Sequence, residues 1–86
     1  MADQPSSEPQ AEVLIAEFEK NSREVVRVRL TEYRGMKLLD IRTFYEDAGQ
    51  WKPGKGIALR QGLLPQLVEA LEAAKTLVEA GEPPAA

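Results

Sequence analysis

Apolar and polar residues alternate over residues 24–33, "EVVRVRLTEY". Val26, Val28 and Leu30 fall on one side of an extended chain, and Arg27, Arg29, Thr31 and Tyr33 on the other. "EVLIAEFE" (12–19) precedes it as a first strand, with Asn-Ser turn chemistry in "NSRE" (21–24). Arg34-Gly35 is a two-residue hairpin signal, and "MKLLDIRTFY" (36–45) returns as a third strand. "EDAG" (46–49) turns the chain again, and a fourth strand, split by "KPGKG", ends in "IALR" (57–60). After it the period lengthens: Leu64, Leu67, Val68, Leu71, Ala74, Lys75 and Val78 follow helical spacing. Pro65 is tolerated in a first turn, and Gly81 with Pro83-Pro84 stops the helix. The order strand, strand, strand, strand, helix is an α+β domain with no internal repeat.

A two-residue loop at Arg34-Gly35 fixes a register in which Tyr33 opposes Met36. Val28 then faces Ile41 and Leu30 faces Leu39, an apolar side built from two strands. On the other side Arg29 meets Asp40, but Arg27 meets Arg42. Opposed like charges are destabilising unless solvent screens them or an anion sits between them. Tyr33, Thr31 and Phe44 share that cationic side.

Charge is uneven along the chain. The total is −3, yet residues 18–60 carry ten Lys/Arg against six Asp/Glu. A basic middle with acidic ends is a footprint for an anionic partner, or a set of solvated strand faces. With no cysteine and no histidine, thiol chemistry and the commonest general base and metal ligand are excluded. No convergent acid pair replaces them, so no enzyme, cofactor or metal is expected. "KPGKG" is either a phosphate-contacting loop or a bulge whose lysines protect an edge. It lacks the spacing of a nucleotide-binding P-loop. Trp51 weighs towards core packing under the helix, and Leu64, Leu67, Leu71 and Val78 towards core or dimer interface. The start "MADQPSSEPQ" lacks the regions of a signal peptide, so a soluble protein of the cytoplasm is expected, nucleoid-associated if prokaryotic. Residues 1–11 and 81–86 read as disordered tails around a domain at 12–80, the first of them acidic.

"EYRGMKLLDIRTFY", "WKPGKGIAL" and the amphipathic helix together resemble the positive-cofactor-four family of transcriptional coactivators, over about Val13 to Ala74. The resemblance implies a strongly curved four-stranded antiparallel sheet with one C-terminal helix (ββββα), forming homodimers. It implies binding to single-stranded or melted DNA with little sequence preference, in transcriptional coactivation, in regulation or in protection of unwound DNA. By position, Tyr33 and Tyr45 match base-stacking aromatics, Arg42 a basic residue of the DNA channel, and Lys52 and Lys55 lysines of the adjoining loop. With Arg27, Arg29 and Phe44 these make the expected nucleic-acid surface. Strict alternation places Tyr45 with Ile41, so a bulge or strand curl is expected to turn it. The loop is one residue shorter than the family's Lys-Pro-Gly-Arg/Lys-Lys-Gly, which removes a cation, and the Ser- and Lys-rich regulatory region of the eukaryotic members has no counterpart here. A simpler DNA-binding role is therefore expected. The expected partners are single-stranded DNA, a second copy of the chain and the transcription machinery, with RNA binding as a variant. No membrane or small-molecule substrate is expected. The competing class is a protein-interaction adaptor in transcription, with no nucleic-acid role.

Overall fold

The computed structural model describes residues 11–81. Four strands, β1 (Ala11–Glu19), β2 (Glu24–Tyr33), β3 (Met36–Asp47) and β4 (Gln50–Arg60), form one antiparallel sheet in chain order. A single 3-10 turn, Gln61–Leu63, leads into the helix α1, Leu64–Glu79. Pro65 stands in its first turn, and Gly81 follows it with a φ of 81°. The expected tails lie outside the described residues, except that Ala11 already belongs to β1 and that Gly81 is described.

Local chemistry explains each turn. At the β1–β2 turn the Asn21 side-chain oxygen accepts from the backbone N–H of Arg23 and of Glu24, each at 2.9 Å, an Asx turn. The two other hairpins close through residue pairs that both carry positive φ, Arg34-Gly35 (53° and 80°) and Ala48-Gly49 (54° and 81°). Loops of that kind match the twist of antiparallel strands and fix register. The β2–β3 pairing accordingly runs without a shift from Glu24↔Tyr45 to Tyr33↔Met36, with Arg27↔Arg42, Val28↔Ile41, Arg29↔Asp40 and Leu30↔Leu39 as the sequence implies.

The fourth strand differs from expectation. "KPGKG" does not split it; β4 is continuous from Gln50 to Arg60. The interruption is a bulge: Gly56 pairs with Arg42 and Pro53 with Phe44, so Gly54 and Lys55 together face Thr43. A proline is accommodated because β4 is an edge strand. A second bulge shifts β1 between Leu14 and Ala16.

The two faces reverse the usual allocation. Val13, Phe18, Val26, Val28, Leu30, Ile41 and Ile57 share one face by register, yet Val13, Phe18 and Ile57 are more than half exposed. Of the five buried residues, only Leu39 is on that face; Val25, Thr31, Asp40 and Phe44 are on the polar one. Among the described residues that face is covered by its own long side chains: Arg27 and Arg29 lie over Phe44, and Arg29 and Arg42 close over Asp40. The helix lies apart and buries no residue, and Leu71 and Val78 are mostly exposed. Trp51 is 45% exposed near the β3–β4 turn. The core placement weighed for it is overturned, because the helix that was to cover it does not pack there.

Candidate nucleic-acid interface

The polar face holds a closed ion network. Arg29 Nη2 donates to Asp40 Oδ2 at 2.6 Å, and Arg42 Nη2 donates to Asp40 Oδ1 at 2.7 Å. Arg29 Nη1 lies 3.2 Å from Glu12 Oε1, and Arg27 Nε donates to Glu17 at 2.7 Å. The anion that makes Arg27 and Arg42 compatible neighbours is therefore the protein's own: Asp40 holds Arg42 and Glu17 holds Arg27. Three guanidiniums are matched by three carboxylates, so the network carries little net charge. Asp40 is 4% exposed. Burial works to raise its pKa, but the hydrogen bonds and charges of Arg42 and Arg29 outweigh that and hold the carboxyl below its ordinary range.

Phe44 lies beneath this network. The guanidinium of Arg27 stands 4.5 Å from the ring centroid and that of Arg29 5.2 Å. With the ring 7% exposed, the expected stacking surface at Phe44 is covered by the arginines above it. Its aromatic signal in the sequence could not distinguish a platform for a base from a platform for a neighbouring guanidinium.

Of the remaining candidates, Tyr45, Lys52 and Lys55 are exposed and Tyr33 is half-buried. Tyr33 ends β2 on the polar face, with Arg34 5.7 Å from its ring centroid. Tyr45 is 40% exposed and pairs with Lys52. The unshifted β2–β3 register keeps it on the Ile41 face, so no bulge in β3 turns it; the irregularity lies on the partner strand, opposite Thr43. Lys52 Nζ is 2.9 Å from Asp47 Oδ2, a hydrogen bond that raises the lysine pKa. The Lys55 side chain has no such partner among the described residues, while its carbonyl accepts from Thr43 Oγ1 at 3.2 Å. Arg42 Nη1 donates to the Gly54 carbonyl at 3.2 Å and so ties the bulge to the ion network.

Gly56 escapes a reading of motifs alone. A Cβ there would fall on Cβ of Arg42 and on the Ile41 carbonyl oxygen, so β4 can approach Arg42 only because that side chain is missing. The signal was the opposition of Gly56 to Arg42, which needs the bulge to be known. Among the described residues no group of His, Cys, Asp or Glu is placed to hold a metal, and no helix is long and apolar enough to cross a membrane.

Residues 20–70 match the family model described as Transcriptional Coactivator p15 (PC4), more than half of the chain. An RNA polymerase II transcriptional coactivator of Drosophila melanogaster is 43% identical over 54 residues, 62% of this chain and 49% of that protein. The chain thus spans about half the length of this curated relative. Two crystal forms of a PC4 homologue from Burkholderia pseudomallei, tetragonal and orthorhombic, superpose with TM-scores of 0.68 at 30% identity. They cover 76% and 80% of this chain, and 98% and 96% of theirs. A ββββα sheet-and-helix order, a matched sequence core and these structural neighbours agree: the chain belongs to the transcriptional coactivator p15 (PC4) family.

Proposed function

We propose that the protein is a homodimeric binder of single-stranded DNA with little sequence preference, acting in transcription or in protecting melted DNA. The observation that carries this reading is the β3–β4 hairpin, where exposed Tyr45 stands opposite Lys52, and Lys55 in the adjoining bulge has no ion-pair partner among the described residues. A ring offered to solvent next to exposed cations suits an unpaired base and its phosphate, and stacking of this kind tolerates any base. The Lys52–Asp47 pair is exposed, so it contributes at most about 1 kcal/mol and yields readily to a phosphate. Arg29 and Arg42 act differently. Held by Asp40, they rigidify the sheet beneath the site more than they attract phosphate. Phe44 supports them from below.

Dimerisation completes the fold on this reading. The uncovered apolar face and the exposed helix residues Leu71 and Val78 leave more apolar surface in water than so small a domain sustains alone.

The test is an anisotropy titration of a labelled oligothymidylate, beside matched duplex DNA and matched RNA, at two salt concentrations. Tight, salt-sensitive binding of the single strand with weak binding of the duplex is expected. Equal RNA binding selects the RNA variant. No binding to any of the three overturns the proposal in favour of a protein adaptor.

A further inference from the structure

We propose that Trp51 is a separate stacking platform for an unpaired nucleic-acid base, on the arginine-bearing face of the sheet. The inference rests on the nucleic-acid reading above and gives a role to a residue to which the family resemblance assigned none.

The register places it. Trp51 pairs with Glu46, two residues beyond Phe44 and four beyond Arg42 on β3, so all four side chains share one face. Tyr33, opposite Met36, lies on the same face at the other end of β3. Tyr45 lies on the reverse face with Ile41. A strand crossing the arginine face therefore meets an aromatic at each end, Tyr33 and Trp51. The ten-residue interval along β3 between their partners corresponds to at most about 33 Å at 3.3 Å per residue, less on a curled sheet. That leaves room for several nucleotides between the two rings.

The surroundings of Trp51 select the occupant. Glu46 stands opposite it across the ladder, Pro53 follows two residues along on the same face, and Lys52 is its neighbour in the chain. A contact between two copies would use the apolar surface, and that surface (Val13, Phe18, Ile57) is on the other face. An exposed indole outside the apolar surface offers its ring face to a flat, unpaired base, and Lys55 stands four residues along the same strand.

Trp51 is also the chain's single tryptophan, so its emission reports the contact directly. Oligothymidylate should quench it in proportion to the binding seen independently by anisotropy of a labelled strand. Trp51→Ala should weaken binding about five- to 150-fold, the range for one lost stacked base. Trp51→Phe should restore most of the loss, and Trp51→Leu, apolar but without a ring face, should not. Thermal melts and sedimentation should be unchanged in all three. Binding by anisotropy with unquenched emission and a wild-type affinity for Trp51→Ala overturns the inference and leaves the proposed function standing. Full binding by Trp51→Leu, or an altered association state in Trp51→Ala, overturns it in favour of an apolar protein contact. Absence of all oligonucleotide binding overturns both.

Discussion

Arg42 grips Asp40 from two residues further along the same strand: Nη2 lies 2.7 Å from Oδ1, and Nε 3.0 Å from both carboxylate oxygens. Strand periodicity puts residues i and i+2 on one face, and Arg29 reaches the same carboxylate from β2. One acid thereby supports two cations. Substituting Asp40 by Asn should lower stability by about 3 kcal/mol, the low end for breaking a buried pair, because Arg42 keeps a quarter of its side-chain surface in water. The pH dependence has a definite sign. The folded pKa of Asp40 is depressed, so its stabilisation is complete above the unfolded value of about 3.9 and is lost as pH falls through the lower folded value. Denaturant titrations should show the gap between wild type and Asp40→Asn closing in acid. A gap that stays constant would assign the loss to shape instead of charge.

Gly56 and Gly54 stand in one bulge but differ in what surrounds them. Gly56→Ala drives a methyl group into the β3 backbone and Arg42, whereas Gly54→Ala meets the Thr43 hydroxyl at 2.8 Å, which can rotate. Gly56→Ala should cost about 3 kcal/mol or more, at or above the usual range for overpacking, and Gly54→Ala about 1 kcal/mol. Thermal melts of the two variants decide the matter, and equal effects would show that the bulge is not held where it is described.

Stacking and charge should separate on the exposed hairpin. Tyr45→Ala should weaken single-strand binding by about 1–3 kcal/mol with little change in salt dependence. Lys55→Ala should reduce the slope of log affinity against log salt by about 0.7, the value for one single-strand phosphate contact. Arg42→Ala should change that slope less than Lys55→Ala and stability more, because its charge is already committed to Asp40. The reverse ranking would mean that Arg42 leaves Asp40 for the nucleic acid.

Leu71 is 57% exposed on a helix that buries nothing. If that helix meets a second copy, Leu71→Asp should abolish dimers in sedimentation at micromolar protein and lower thermal stability, since a charge has no partner in an apolar contact. A wild-type chain that sediments as a folded monomer of 9.5 kDa would remove the dimer from the proposal.

The sequence by itself determined the elements and the central register. Alternation over Glu24–Tyr33, a turn that tolerates positive φ at Arg34-Gly35, and helical spacing from Leu64 specify β2, β3 and α1, because period and turn geometry are local properties. Tertiary structure decided which face was inside. Arg27 and Arg29 lie over Phe44, and Glu12, Glu17 and Asp40 turn an apparently exposed cationic face into a neutral, half-buried network. Tyr45 stays on the Ile41 face, where alternation already places it, whereas the exposure of Trp51 is a tertiary outcome. Such outcomes depend on how strands bend and on which carboxylate reaches which guanidinium across ten or eleven residues of chain. Neither the alternation pattern nor the charge count carries that information, since a period of two assigns residues to faces without saying which face the sheet will close upon.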